Sequence, residues 1–315
     1  MHIQIVTPAA RGSRMGNRIT AARWARILKQ LGHHVQIGTR YEGQSADLLI
    51  GLHARKSASS IRSFCERYPK RPCFVALTGT DLYGDLQRST IAQDSLKLAS
   101  RLVLLQPAGV EEIPVALRGR CRVIFQSAVG IRKVPPLRRS FEVVVAGHLR
   151  PVKDPFRTAY AVRQLPASSS IKVTHVGAAL SDRMREMAEA EMDRNARYRW
   201  VGEQTHGRTR RIIARARLLV LSSRMEGGAS VIAEALVNGT PVIASDISGN
   251  RGMLGDRCPA LFPLADTRAL RELLVRFEAD REFAREITRW CRDLAPQHAP
   301  RNEVRCWKEL LAEIK

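Results

Sequence analysis

The chain has 315 residues, of which 44% are hydrophobic and 26% are charged, a composition typical of a soluble globular protein with about two domains. It excludes a disordered tail, a collagen and a small disulfide-rich protein, and no apolar run approaches the roughly 18 residues that a membrane-spanning helix needs. The balance of 52 basic against 30 acidic residues gives a net charge of +22, and 43 of the basic residues are arginine.

This positive charge allows two interpretations. Clustered arginines and lysines neutralise phosphates, so a polynucleotide partner is one of them. The arginines are nevertheless spread along the whole chain, and only 5% of the residues are aromatic, too few for a base-stacking platform. The composition therefore favours an arginine-rich surface with a few arginines reserved for a small anionic ligand.

The six cysteines indicate neither a metal site nor a disulfide framework, because no C-x-x-C pair occurs and their spacing is wide. Several lie in apolar stretches, where a thiol is most often a small buried hydrophobe. The N-terminal sequence MHIQIVTPAARGSR lacks the long apolar core of a signal peptide and predicts a buried first strand instead. We therefore expect a protein of the reducing cytoplasm.

Short apolar runs alternate with amphipathic stretches in the first half of the chain, as a parallel sheet covered by helices on both faces requires. The first strand is predicted at Ile3–Thr7, and a helix follows from about Arg18 to Leu31 after a loop rich in glycine and arginine. Further predicted strands are HHVQIG (33–38), DLLIGLH (47–53), CFVALTG (73–79), RLVLLQ (101–106) and RVIFQ (122–126).

A segment without periodicity and with paired prolines, SAVGIRKVPPLRRS (127–140), predicts a linker. Beyond it the pattern begins again, with predicted strands FEVVVAG (141–147), IKVTHVG (171–177), YRWVGE (198–203), RLLVLSS (217–223) and TPVIAS (240–245). We predict an α/β fold of two Rossmann-like doubly wound domains facing across a cleft that binds the ligands. The predicted bounds are 1–133 for the N-terminal domain, 134–298 for the C-terminal domain and 299–315 for a helix packing back on the N-terminal domain.

The segment Ser222–Ser245 carries the densest chemical signal of the chain. A predicted strand ends there at Glu226-Gly227-Gly228-Ala229, and a helix begins near Ser230. Glycines let backbone amides approach a ligand, and a helix N-terminus offers free N–H groups with a partial positive charge, so this turn can bind a phosphate. Glu226 before the helix and Glu234 about one turn inside it can accept hydrogen bonds from sugar hydroxyls. A helix-capping acid and a solvated helix face are the respective structural alternatives.

This segment resembles the signature of retaining GT-B glycosyltransferases of family 4, in which two glutamates separated by seven residues precede a turn like Asn238-Gly239-Thr240-Pro241-Val242. The segment from Gly147 to Lys153 resembles the family's Gly-Arg-Leu-x-x-x-Lys loop, whose basic residues bind the donor diphosphate. His148 stands where the family usually has arginine, so that role would pass to Arg150 beside Lys153. The donor-binding residues implied by the resemblance are Gly147, His148, Gly202, Glu203, Gly227, Gly228, Ala229, Ser230 and Glu234.

In the first half, Thr78-Gly79-Thr80-Asp81 resembles the family's His-Gly-x-Asp segment, and Arg11 to Asn17 resembles its acceptor-side loop. Thr78 replaces a histidine near the reacting carbon, whose role would pass to His53 or be dispensed with. A core or capping histidine is the alternative at His53. The resemblance implies catalytic roles for Glu226, Lys153, Arg150 and His53. The implied acceptor-binding residues are Arg11, Gly12, Ser13, Arg14, Gly16, Asn17, Arg18, Thr78, Gly79, Thr80 and Asp81.

Longer strings, among them TPAARGSRMGNRITAARWARIL (7–28) and GHLRPVKDPF (147–156), resemble the branch of this family that forms selenosugars in selenoneine biosynthesis. That branch joins a UDP-sugar, typically UDP-N-acetylglucosamine, to selenophosphate. An acceptor this small needs only cations and amides, which the loop from Arg11 to Arg18 offers, and guanidinium pairs bidentately with oxyanions. Surface positions on the first helix are the alternative for Arg14 and Arg18.

The resemblance implies sugar transfer without a metal or another cofactor. Arg150, Lys153 and the amides of Gly227 to Ala229 would neutralise the departing diphosphate, while Glu226 holds sugar hydroxyls and Glu234 the ribose. The selenium anion would attack the anomeric carbon with retention of configuration, and it needs less base catalysis than a hydroxyl. An ordinary family 4 glycosyltransferase acting on a hydroxyl acceptor is the first alternative, and a basic nucleic-acid-binding protein is the second.

Overall fold

A computed structural model describes residues 1–13, 16–132 and 134–314 of the chain. It divides into two compact units, one formed by Met1–Gln126, Glu226–Gly228 and Pro300–Lys315 and the other by Ser127–Met225 and Ala229–Ala299. The division after Gln126 precedes the predicted boundary at residue 133, and both positions lie in the segment that joins the two sheets. Within the described ranges, no helix is long and apolar enough to cross a membrane.

The first unit is built on a sheet of six parallel strands in the order β2-β1-β3-β4-β5-β6. The strands are β1 His2–Val6, β2 His34–Gly38, β3 Leu48–Leu52, β4 Cys73–Leu77, β5 Arg101–Leu104 and β6 Cys121–Val123. Strands β3 and β4 are buried along their whole length, which explains their continuous apolar sequence. The strand order reverses between β1 and β3, and open α/β sheets bind ligands beyond the carboxyl ends of the strands at such a point.

Three helices connect the strands of the first unit, namely α1 Gly16–Gln30, α2 Ala58–Arg67 and α3 Thr90–Leu98. Each buries one face, and Trp24 is the largest fully buried side chain of α1. The sequence predicts α1 because its apolar residues recur at helical spacing. Ser89 caps α3 through a hydrogen bond that its hydroxyl accepts from the Ala92 amide.

The second unit also has a sheet of six parallel strands, in the order β12-β11-β10-β7-β8-β9. The strands are β7 Phe141–Ala146, β8 Ile171–Val176, β9 Tyr198–Trp200, β10 Leu218–Leu221, β11 Val242–Ser245 and β12 Leu261–Phe262. The order reverses between β7 and β10, so the loops that follow these two strands are the expected ligand-binding segments. The sequence does not predict β12, because two residues are too few to show a period.

Seven helices belong to the described part of the second unit: α4 Arg157–Val162, α5 Asp182–Arg194, α6 His206–Arg215, α7 Ser230–Val237, α8 Ser248–Leu254, α9 Thr267–Ala279 and α10 Arg281–Leu294. Buried Glu142 of β7 accepts hydrogen bonds from the guanidinium of Arg215 at 2.7 and 2.8 Å and from the Thr174 hydroxyl at 2.8 Å. Because an unpaired buried carboxylate is costly, these contacts help to fix α6 against the sheet.

The chain then returns to the first unit with α11, Pro300–Ala312. Its buried Glu303 accepts hydrogen bonds from Trp24 Nε1 at 2.9 Å and from Arg23 Nε at 3.2 Å. The rings of Trp24 and Trp307 meet edge to face, with centroids 4.9 Å apart. The prediction of two Rossmann-like doubly wound domains is confirmed by the two parallel sheets and their covering helices.

Candidate active site

A short cationic loop, Gly147–Asp154, follows β7 at the carboxyl edge of the second sheet, where the strand order reverses. Arg150 precedes a 3₁₀ turn formed by Pro151–Lys153. The loop is attached to the segment after β10, because the Ser222 hydroxyl donates a hydrogen bond to the Asp154 carbonyl oxygen at 2.8 Å. Two basic residues are thereby held close together on a fixed turn.

Arg150 and Lys153 carry the positive charge of this loop. The Nε of Arg150 is buried and has no hydrogen-bond partner in the described structure, a costly condition that an anionic ligand would relieve. The predicted donor residue His148 differs, since its Nδ1 accepts a hydrogen bond from the Ala178 amide at 3.1 Å and burial lowers its pKa. A neutral His148 shapes the loop, so the positive charge of the loop is that of Arg150 and Lys153.

Three glycines stand at the carboxyl ends of β7, β8 and β9. A Cβ on Gly177 would lie 2.0 Å from the Gly147 carbonyl oxygen, so only glycine fits there. The Gly177 amide donates a hydrogen bond to the Gly202 carbonyl oxygen at 2.9 Å, and Glu203 follows at an exposed position. Gly147, Gly202 and Glu203 are predicted site residues, and Gly177 is not. The pair Val176-Gly177 at the end of β8 is nevertheless a usable signal, because it repeats the pair Val201-Gly202 after β9.

The N-terminus of α7 is open to a ligand. The helix begins at Ser230 after Ala229, and no side chain caps it among the residues described. The first amides of a helix have no partner within the helix and attract anions. Because the capping position belongs to Ala229, the capping alternative for Glu226 does not hold.

Glu234 is buried inside α7 and paired with a histidine. Glu234 is only 8% exposed. Its Oε1 lies 3.0 Å from Nε2 of His206, the first residue of α6. The solvated-face alternative is therefore wrong. His206 could not be predicted from the sequence, because no periodicity relates His206 on α6 to Glu234 on α7.

In the first unit, Asp81 determines the shape of the loop after β4. Its Oδ1 accepts hydrogen bonds from the amides of Thr78 and Gly79, both at 2.9 Å, and its Oδ2 accepts one from the Ala54 amide at 3.1 Å. The side chain is fully buried. A carboxylate committed to three backbone donors acts on the fold of the loop, and through that loop it would influence any acceptor.

His53 lies directly after β3 with a left-handed backbone, at a φ of 75°, and its ring is 1% exposed. Nδ1 accepts a hydrogen bond from the Lys56 amide at 3.4 Å, and Nε2 is 3.3 Å from the Thr80 hydroxyl and 3.8 Å from Asp85. Burial lowers the pKa of the ring, so the neutral form with a proton on Nε2 can donate to Thr80. This is the geometry of a capping histidine, the alternative to a catalytic His53, and a ring this deeply buried is not exposed to a substrate.

The segment Glu226–Gly228 is grouped with the first unit, where its glycines make close backbone contacts. A Cβ on Gly227 would lie 2.3 Å from the Thr78 carbonyl oxygen, and one on Gly79 would lie 2.9 Å from the Gly227 amide nitrogen. Gly227 is therefore required for packing against the Thr78–Asp81 loop. From the sequence, a glycine at this position is expected only to let backbone amides approach a ligand. Glu226 itself is 8% exposed.

The predicted acceptor loop follows β1 at the point where the strand order of the first sheet reverses. Gly12 has a φ of 82°, and the Ser13 amide donates to the Ala10 carbonyl oxygen at 3.1 Å, so the loop turns tightly. Arg11 is exposed, whereas Arg18 in the first turn of α1 is half-buried. The described members of the loop are Arg11, Gly12, Ser13, Gly16, Asn17 and Arg18, and Arg14 lies outside the described residues.

All six cysteines are free thiols. Across the described ranges, no group of three or more His, Cys, Asp or Glu side chains could hold a metal ion.

The family model described as glycosyl transferases group 1 matches residues 131–293. Similar solved structures include sucrose-phosphate synthase from Thermosynechococcus elongatus, 17% identical with a TM-score of 0.79 over 99% of this chain and 98% of that chain. Another is Anabaena HepE in complex with UDP-glucose, 16% identical with a TM-score of 0.75 over 100% of this chain and 99% of that one. Identities this low show a shared fold alone. Comparison of the sequence with curated proteins gives no significant match.

Proposed function

The chain belongs to the glycosyl transferases group 1 family and has the GT-B fold, and from this premise we propose that it transfers a sugar from a UDP-sugar to selenophosphate. This is the reaction of a selenosugar synthase in selenoneine biosynthesis, with UDP-N-acetylglucosamine as the expected donor. The observation that carries the donor half is the pair Arg150 and Lys153 on the turn after β7. The acceptor half rests on the resemblance of the loop from Arg11 to Arg18.

The donor diphosphate would be bound by charge and by amides. Arg150 has a buried nitrogen without a partner in the described structure, Lys153 stands three residues later, and the uncapped start of α7 follows the neighbouring strand β10. Negative charge develops on the diphosphate as the sugar leaves, and fixed cations and dipoles stabilise that charge without reorganisation. This assignment needs no metal ion.

The nucleoside end of the donor would lie along the glycine-lined strand ends. Gly202 and Glu203 resemble the strand end that meets the base, and Glu234, held by His206, would accept hydrogen bonds from ribose hydroxyls. Anabaena HepE, which is similar in fold, has been crystallised with UDP and with UDP-glucose. Both points favour a uridine diphosphate donor.

The acceptor would be a small oxyanion. The loop after β1 offers arginines and a glycine-rich backbone, and guanidinium pairs with a phosphate-type anion through two parallel hydrogen bonds. The family's histidine is replaced by Thr78, and His53 is neutral and buried beneath Thr80. A reaction without a general base fits a selenium nucleophile, which is already anionic, better than it fits a sugar hydroxyl.

The proposed step exchanges one bond at the anomeric carbon for another. A lone pair on selenium forms the carbon–selenium bond, and the carbon–oxygen bond to the diphosphate breaks with its electrons leaving on UDP. Glu226 would hold sugar hydroxyls, as the family resemblance implies. Exclusion of water matters because hydrolysis of the donor competes with transfer.

The test is a product analysis by mass spectrometry. The purified protein is incubated with UDP-N-acetylglucosamine and selenophosphate, and parallel reactions contain thiophosphate, phosphate or no acceptor. We expect UDP release coupled to a sugar that carries the isotope pattern of selenium. Release of UDP at the same rate in all four reactions would identify hydrolysis and overturn the selenium acceptor while leaving the donor in place. Absence of UDP release from any common UDP-sugar would overturn the donor assignment.

A further inference from the structure

A groove of about 730 Å³ lies along the amino edge of the second sheet, opposite to the edge that carries the donor loop. Its floor forms where strands begin, with Phe141 opening β7, Arg217 preceding β10 and Pro241 preceding β11. One wall is a face of α10. Residues assigned to sugar transfer do not line this groove, so the proposed reaction leaves it unexplained.

A row of four arginines on α10 lines the groove: Arg281, Arg285, Arg289 and Arg292. Their spacing of four, four and three residues places them along one face of the helix, where like charges repel and destabilise it. Within the described chain, the first three make no ion pair or hydrogen bond, and Arg292 approaches only its neighbour Asp293, at 3.9 Å. A row of this kind is unfavourable unless an anion faces it.

The opposite wall does not neutralise the row. Arg217 is exposed, and Arg215 is already occupied by the buried carboxylate of Glu142. Glu278, the one acid among the described lining residues, accepts hydrogen bonds from the amide and the hydroxyl of Ser170, both at 2.8 Å. The groove therefore presents five arginines to solvent against one committed carboxylate.

We propose that this groove binds an extended acidic segment of a partner protein. The arginine row extends over eleven residue steps of α10, about 16 Å at 1.5 Å per residue. Alternate side chains of an extended strand are spaced about 6.7 Å apart, which matches arginines four residues apart on a helix, about 6 Å.

Other anionic partners fit the groove less well. A membrane surface needs apolar side chains that protrude, but here the apolar residues form the recessed floor. Single-stranded nucleic acid binds to exposed aromatic faces, whereas Phe141 and Phe277 are packed edge to face against each other, with centroids 6.1 Å apart. Carboxylates at alternate positions of a peptide require only the guanidinium row.

The test is fluorescence anisotropy with the full-length protein and a rhodamine-labelled peptide, acetyl-(Glu-Thr)6. The double variant R285E/R289E reverses the centre of the row and retains opposite-charge neighbours in Arg281 and Arg292, so α10 is expected to fold. A matched control, R183E/R185E, makes the same charge change on the exposed face of α5. We expect the dissociation constant to rise at least tenfold in the first variant and less than threefold in the control.

Three outcomes would overturn the proposal. Equal weakening in both double variants would show that the peptide senses net charge alone. Undiminished binding of an uncharged control peptide, acetyl-(Gln-Thr)6, would show that carboxylates are not recognised. If oligo(dT)12 or phosphatidylglycerol vesicles bind more tightly than the peptide, and R285E/R289E weakens that binding, the groove belongs to another class of partner. Sugar transfer should be unchanged in R285E/R289E, so the groove and the proposed reaction can fail independently.

Discussion

The carboxyl edges of the two sheets place polar groups in opposite ways. In the first unit, Asp81 and His53 are buried and their polar atoms are occupied by backbone amides and by Thr80. In the second unit, the Arg150 guanidinium keeps a buried nitrogen without a described partner, and Glu234 is held at one carboxylate oxygen. We call the first edge closed, because Asp81 and His53 hold its loops, and the second edge open, because the Arg150 nitrogen has no described partner.

This difference shows that the type of a residue in a motif does not reveal its task. An aspartate that accepts three backbone hydrogen bonds cannot bind a substrate without giving up the loop that it shapes. A cation without a described acceptor has no such obligation. We therefore expect substitution of Asp81 to change stability and substitution of Lys153 to change turnover.

The largest expected effect is the loss of turnover in K153M. Removing one fixed positive group from the departing diphosphate should lower kcat about 100- to 1,000-fold, the usual cost of losing a preorganised donor. Stopped assays of UDP release measure this directly. The control is K172M, which removes an exposed lysine at the start of β8. An unchanged kcat in K153M would show that the positive charge at the carboxyl edge of the second sheet does not act on the leaving diphosphate, and this edge would then not differ in function from the first.

The second prediction concerns the buried His175, which lies in β8 of the second sheet, and the pH dependence of stability that it causes. His175 in β8 is fully buried, with its Nε2 3.2 Å from the Gly147 carbonyl oxygen and its Nδ1 2.9 Å from the Tyr198 hydroxyl. Burial lowers the pKa of His175 to about 4. The unfolded chain takes up a proton below about pH 6.5 while the folded ring stays neutral, so stability present above that pH is lost as the pH falls.

Between pH 6.5 and 4 this single ring should cost about 3 kcal/mol of unfolding free energy, at about 1.4 kcal/mol per pKa unit. Urea unfolding at several pH values measures the loss in the wild type and in H175Q, which cannot titrate. Burial also lowers the pKa of His53 and His148, so both proteins should lose some stability on acidification. Parallel curves for the two proteins would contradict the assignment to His175.

The fold could be predicted from the sequence because each parallel strand is a short run of residues buried on both faces. Strand β12 could not be predicted, because a run of two residues shows no hydrophobic pattern. The cationic loop after β7 could also be located from the sequence, because its charged residues lie within one short segment that follows a strand. For these features the information is local.

Features made by distant residues could not be predicted. The contact between Gly227 and the Thr78 carbonyl joins segments far apart in the chain, and the sequence shows a glycine without showing what it touches. His53 has the right residue type and strand position for a catalytic role, but burial and a left-handed backbone decide its task. Burial and partners are properties of packing, which a single sequence does not display.

A third prediction tests the closed edge itself. In D81N, the amide offers one acceptor oxygen where the carboxylate serves three backbone donors, so at least one buried amide loses its partner. We expect the unfolding free energy to fall by about 2 kcal/mol. The matched variant D85N removes a half-exposed carboxylate that pairs with Arg55 at 2.9 Å, and it should cost less than about 1 kcal/mol. Equal losses in chemical denaturation would show that Asp81 does not determine the loop.

The smallest expected effect is on donor binding, through His206. Its Nε2 is 3.0 Å from Glu234 Oε1, so H206A should leave that carboxylate free to rotate away from the ribose. Loss of one hydrogen bond of this kind predicts a three- to tenfold increase in KM for the UDP-sugar, about 1 kcal/mol, with kcat within twofold. H206Q can still donate to the carboxylate and should recover most of the affinity, whereas R208A, two residues along the same helix, should behave as wild type. A fall in kcat without a change in KM would move Glu234 from donor binding to the chemical step, and the open edge would then contain a second group that acts in the transition state.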